Sequence, residues 1–145
     1  MFLDTGDGLV FKGALGDWYS TDSHEFHLSE GKARELISMI VAEYERINGR
    51  PPLELFVHAK TRLNDSEWHG ILSAVEGKET NVVGVRISRA SDLKLYRPGS
   101  NPVLRGTALI TGSRSAYLWT SGYVPKLKTY AGREVPNPLS VDITK

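Results

Sequence analysis

Leu53-Glu54-Leu55-Phe56-Val57-His58 is the stretch on which the fold turns. Its large apolar side chains, in a run too short for a helix, predict a buried strand at the centre of a sheet. Upstream, Ser29 stands as an N-cap before Ala33, Leu36, Ile37, Ile40, Val41 and Tyr44, which recur at helical spacing and form one apolar stripe. Asn48-Gly49 ends that helix, and Pro51-Pro52 prevents its return. The expectation is a helix over 29–48 packed by its Leu36/Ile40/Tyr44 stripe. Downstream, Asn64 and Glu67 have capping-box spacing and open a second helix with Trp68, Ile71, Leu72 and Val75 facing inward.

Beyond that helix the pattern predicts strands at 82–87, 93–96, 103–111, 116–120 and 139–143, the second closed by Arg97-Pro98-Gly99. Before residue 29, Asp4-Thr5-Gly6-Asp7-Gly8 is turn chemistry for a hairpin, Leu9-Val10-Phe11 a strand, and 18–28 a short strand or loop with Phe26 and Leu28 alternating. The fold class is α/β, a mixed sheet with flanking helices and at least one parallel crossover. No linker-like break divides the chain, so 1–145 is expected to be a single domain.

Composition sets the outer limits. The 145 residues are 40% hydrophobic and 24% charged, ordinary for a globular protein, with no repeat or low-complexity segment. The absence of cysteine excludes disulfides, thiolate metal sites and a cysteine nucleophile, and fits a reducing cytosol. The N-terminus lacks the basic and apolar regions of a signal peptide, and no apolar run approaches membrane-spanning length. A cytoplasmic protein without a membrane partner is expected.

The net charge of +1 hides an asymmetry. Residues 1–60 carry six basic and ten acidic residues, hence −4, and residues 61–145 carry +5. Between 86 and 133 stand Arg86, Arg89, Lys94, Arg97, Arg105, Arg114, Lys126, Lys128 and Arg133, with Asp92 the sole acid. Tyr96, Tyr117, Trp119, Tyr123 and Tyr130 are interleaved with them. Cations neutralise phosphates and rings stack on bases, so this stretch predicts nucleic-acid contact, with strand alternation burying about half of the rings.

Other chemistry is poorly supported. His24-Glu25-Phe26-His27, with His58 and His69, meets no known metal-ligand spacing. Asp4 and Asp7 sit in turn chemistry. Gly6, Gly8 and Gly13 miss the dinucleotide spacing, Gly31-Lys32 lacks the earlier glycine of a phosphate loop, and the serines show no nucleophile elbow. Asn64-Asp65-Ser66 is formally a glycosylation sequon but reads as a helix cap. Asp65, Glu67 and Asp142 remain as conceivable metal ligands, the first two better explained by the acidic preference of a helix N-terminus.

Leu55-Phe56-Val57-His58-Ala59-Lys60-Thr61-Arg62, followed by Glu67-Trp68, resembles the PIWI segment in which a buried strand ends in a His/Tyr-Arg-Asp-Gly-like motif. Pro102-Val103-Leu104-Arg105-Gly106-Thr107 is similar to the PIWI stretch ending in a Gly-Thr step. Ala116-Tyr117-Leu118-Trp119-Thr120, then Val135-Pro136-Asn137-Pro138-Leu139, resembles the closing strands of prokaryotic Argonautes. The resemblance spans most of 53–143 in the expected order. It implies a ribonuclease H-like fold, the C-terminal part of an incomplete PIWI domain, holding guide and target nucleic acid alongside the remaining Argonaute regions.

Cutting members hold two divalent metals on four acidic or histidine side chains. Here Lys60 occupies the place of one catalytic Asp, and the chain starts after the strand expected to carry the first. The resemblance therefore implies a binding module without catalytic residues, metal or cofactor. Its nucleic-acid contacts are expected at Lys60, Arg62, Arg86, Arg89, Lys94, Arg97, Arg105, Thr107, Lys126 and Lys128. Two alternatives stand beside it: a magnesium- or manganese-dependent ribonuclease H-like endonuclease, and a protein-interaction module on the same fold.

Overall fold

A computed structural model describes residue 8, residues 27–130, residue 132 and residues 134–145. The hairpin around 4–8, the strand 9–11 and nearly all of the 18–28 segment lie outside the described residues. The chain separates into two compact units. One contains the described residues up to Val57, Leu63–Val83 and Lys145, and the other contains His58–Arg62 and Gly84–Thr144.

The first unit is built on two helices. Helix α1 spans Glu30–Asn48, with the Ser29 hydroxyl accepting from the Lys32 N–H at 3.4 Å. At its far end Gly49 takes φ 71°, a left-handed conformation that suits glycine, and its N–H donates to the Glu45 carbonyl at 2.7 Å. Ala33, Ile37 and Val41 are the fully buried line of α1, while Leu36, Ile40 and Tyr44 flank it half-buried. The stripe is therefore legible in the sequence, with its centre displaced toward the smaller side chains.

Helix α2 spans Asp65–Ser73 behind a complete capping box. The Glu67 N–H donates to Asn64 Oδ1 at 2.8 Å, and the Asn64 N–H donates to Glu67 Oε2 at 3.0 Å. Ile71 and, just beyond the helix, Val75 join the α1 residues in one core, with Leu28, Leu55, Val57, Trp68 and Val82 packed against it. Each fully buried Ile or Val contributes roughly 1.5–3 kcal/mol through removal of apolar surface from water. Leu72, expected inward, is 41% exposed, because the inward arc of so short a helix is already filled by Ile71. The two helices approach closely at Gly70, where a methyl group would run into the main chain of Glu30 and the Cβ of Ala33.

Strand β1 (Glu54–Ala59) leads through α2 to β2 (Asn81–Arg89). The Asn81 N–H donates to the Leu53 carbonyl at 2.8 Å, joining the starts of both strands, so they run parallel around the helical crossover. β3 (Ala108–Gly112), β4 (Ser115–Leu118) and β5 (Leu139–Ile143) complete a sheet of order β1-β2-β5-β4-β3. The pairs β2–β5, β5–β4 and β4–β3 are antiparallel, which makes the sheet mixed.

Three expectations need correction. β1 stands at one end of this order among the described residues, and the centre belongs to β5. Accordingly β1 buries only alternate residues: Leu55, Val57 and Ala59 are half-buried, whereas Phe56 is 53% exposed. Residues 93–96 form no strand, because the segment gains no ladder partner among the described residues; the Lys94 side chain reaches across to another loop instead. The strand expected over 103–111 is confined to β3. Its first half turns through Arg105-Gly106, where Leu104 makes an isolated parallel bridge to Tyr123.

The second unit is centred on Trp119, fully buried, whose indole N–H donates to the Pro136 carbonyl at 3.1 Å. Val85, Ala90, Val103 and Pro138 are buried in the same unit.

Candidate functional site

The units divide the charge more sharply than the sequence windows do. His58–Arg62 together with Gly84–Thr144 contains eleven basic residues and three acids, Asp92, Glu134 and Asp142, a formal +8. With a total of +1, the rest of the chain carries −7. All ten sequence-expected contact residues fall in this one basic unit.

Strand register sorts them. Arg86 stands opposite Asp142, which stands opposite Ser115; Ser88, Ser140 and Tyr117 form the adjoining row of the same face. The alternate residues Ile87, Val141 and Ala116 line the other face, as do Leu139 and Leu118. One face of β2-β5-β4 is thus polar and the other apolar. Arg86 lies on the polar face, half-buried, and its Nε is buried without a hydrogen-bond partner among the described residues. A buried donor without an acceptor is costly. Arg89, at odd spacing from Arg86, points to the opposite face at the exposed strand end.

The other candidates lie on loops. Lys60 and Arg62 follow β1, Lys60 exposed at the strand's end, and Arg97 and Arg105 are exposed on the segments before β3. Thr107 is half-buried. Lys126 and Lys128 are exposed around the 3-10 turn Pro125–Leu127, with Lys128 at φ 48°. Lys94 has a different place: its ammonium donates to the Val135 carbonyl at 3.0 Å and ties two loops together. The structure thus brings the ten into one unit but not onto one face.

Those tied loops border an open cleft of ≈ 390 Å³ lined by Tyr96, Arg97, Asn101, Tyr130, Glu134 and neighbouring residues. The sequence marks both tyrosines as aromatics and Arg97 as a cation. It gives no such mark to Asn101 or Glu134, the latter because the basic window stops one residue short. The available signal is the Arg97-Pro98-Gly99-Ser100-Asn101-Pro102 run, which turns too sharply for a strand.

Among the described residues the carboxylates do not form a metal-binding set. Asp65 accepts from Lys145 Nζ at 2.7 Å, and that ammonium holds its carboxyl below the usual aspartate range. Glu67 is buried and engaged by Asn64, by the Leu28 N–H at 2.6 Å and by His27 Nδ1 at 2.8 Å. Asp142 accepts from the Ser140 hydroxyl at 3.1 Å and stands opposite Arg86. Among the described residues no three His, Asp or Glu side chains come together as ligands. Asp4 and Asp7, together with His24 and Glu25, lie outside them. Two divalent ions therefore find no fitting donor set on the described residues.

No protein-family model and no curated protein matches the chain. Among solved structures it is similar to a crystal structure of the Argonaute Aa-Ago with externally bound siRNA, at a TM-score of 0.56 and 14% identity. The fold is Argonaute-like. The alignment covers 83% of this chain and 16% of the Argonaute chain, so the likeness is to a small part of that protein. A mixed sheet with flanking helices is consistent with the ribonuclease H-like fold of an Argonaute domain. No helix among the described residues is long and apolar enough to cross a membrane.

Proposed function

We propose that this chain binds nucleic acid as the PIWI portion of a guide-dependent Argonaute and does not itself cleave the strand it holds. The observation that carries the reading is the gathering of every expected contact residue into one unit of formal charge +8. A one-sign field of that size attracts polyanions and concentrates them at its surface. The Argonaute-like fold supports the same class of ligand, since the similar Aa-Ago structure carries bound siRNA. Guide and target strands are the partners, with the remaining Argonaute regions beside them in the cytoplasm, and 1–145 acts as one domain. Lys60, exposed at the end of β1, supports binding without cleavage, because an ammonium repels a metal ion.

Affinity for duplex DNA, followed by fluorescence anisotropy across a salt series, tests this. Each phosphate neutralised contributes about −0.9 to the slope of log K against log salt, so three to five contacts give roughly −3 to −4.5. Changing Arg86, Arg89, Arg97 and Arg105 together to Ala should flatten the slope. Because Arg86 and Arg89 occupy opposite faces, the two single variants should differ in their effect. No measurable binding, or a slope indifferent to the fourfold change, sinks the proposal.

A further inference from the structure

We propose that the cleft between residues 95–102 and Tyr130, Gly132, Glu134 and Val135 takes one unpaired nucleotide, with its base against Tyr96 and Tyr130 and its phosphate on Arg97. The inference rests on the nucleic-acid reading above and names which part of a strand this site would hold. The cleft, at ≈ 390 Å³, falls within the range of pockets that enclose small ligands, about 300–1,000 Å³.

Its walls are built in advance. Lys94 spans the two loops through the Val135 carbonyl at 3.0 Å, which holds their separation. Tyr130 is fixed twice: its hydroxyl donates to the Glu134 carbonyl, and its ring lies so close over Gly132 that any side chain at 132 would strike it. Tyr96, on the other loop, is 73% exposed and leaves most of its ring surface free. A planar aromatic ligand would cover that surface with little rearrangement.

Charge sets the orientation. Arg97 belongs to one loop and Glu134 to the other. An anionic group is repelled from the Glu134 side and drawn to the guanidinium, whereas the donors of a base edge are accepted by the carboxylate. A ligand with an aromatic ring at one end and a phosphate at the other is a nucleotide. In a fully paired duplex the bases are stacked within the helix, so the site selects an unpaired one.

The test uses three probes: a blunt duplex, the same duplex with a single bulged 2-aminopurine, and a single strand carrying internal 2-aminopurine. The unmodified chain should quench 2-aminopurine and bind the bulged duplex more tightly than the blunt one. Tyr96→Ala removes an exposed ring and should leave the fold intact by circular dichroism. It should weaken binding to the bulged duplex and the single strand about ten-fold, on the scale of base–aromatic stacking, and abolish the quenching. Its affinity for the blunt duplex should not change. Arg97→Ala should lower affinity for the bulged duplex while retaining part of the quenching. Blunt-duplex binding with no quenching and no effect of Tyr96→Ala would overturn the cleft assignment and leave the nucleic-acid reading standing. Failure to bind any of the three probes would overturn both.

Discussion

Gly70→Ala sets two physical effects against each other, and the structure decides the sign. In a helix, Ala is favoured over Gly by roughly 1 kcal/mol, so propensity alone makes the substitution stabilising. At Gly70, however, the new Cβ would lie 3.0 Å from both the Ala33 Cβ and the Glu30 carbonyl carbon, and nearer still to the Glu30 carbonyl oxygen. None of these atoms can rotate aside; two belong to the main chain and the third is a Cβ. Relief requires α1 and α2 to move apart, which loosens the packing of Ala33, Ile37, Val41 and Ile71. Overpacking of this kind costs about 1–3 kcal/mol, and more where main chain must shift. The net expectation is a destabilisation of about 1–3 kcal/mol. Gly31, also in α1, provides the control, since nothing lies within 4 Å of the place its methyl group would take. Gly31→Ala should be neutral or stabilising by up to about 1 kcal/mol. Urea unfolding followed by circular dichroism reads both; with m near 1–3 kcal/mol/M, the Gly70→Ala midpoint should fall by roughly 0.5–2 M. A Gly70→Ala chain as stable as the unmodified one would refute the close approach of the helices.

Trp119→Ala should cost about 3–5 kcal/mol, since the side chain is fully buried. Trp119→Phe should cost less but still register in the urea midpoint, because it leaves the Pro136 carbonyl without its donor. Hydrogen bonding to Arg46 holds the Glu43 carboxyl below the usual glutamate range. A folded-state value below the unfolded one makes the pair's contribution present above the unfolded value and lost as pH falls through the folded one. Carboxyl-carbon NMR should find the Glu43 midpoint low in the unmodified chain and higher in Arg46→Gln; an unmoved midpoint would refute the pairing. Lys60→Asp should not create a nuclease, because one added carboxylate cannot assemble two metal sites. Chelator-sensitive cutting of single-stranded RNA or DNA in magnesium or manganese, absent from a mock purification, would contradict that.

The helices are legible in the sequence because their signals are local. Ser29 and Asn64 cap where expected, Gly49 closes α1, and the residues at 139–143 form β5. Strand neighbours are a different matter. Nothing in Leu53–His58 records that β5 takes the centre of the sheet, because pairing depends on residues far along the chain. A run of large apolar residues reads as buried on both sides, but the order of strands leaves Phe56 facing out. The basic character of the site is legible from composition. Its division between faces is not, since the alternation of Arg86 and Arg89 acquires meaning only with a register. Charge alone makes Lys94 a contact, and only a neighbouring carbonyl reveals its role as a tie.

The central place of β5 also bears on how the sheet is made. β2, β3 and β4 leave the ribosome before β5, yet β5 lies between β2 and β4. Until residues 139–143 emerge, β1 can pair with β2 and β3 with β4, but one edge each of β2 and β4 stays bare. Closure then joins Val85 to Ile143 across most of the second unit, a non-local step that slows folding. Bare edges held open for that interval invite pairing between nascent chains. Synthesis rate and chaperone supply should therefore affect the yield of this chain.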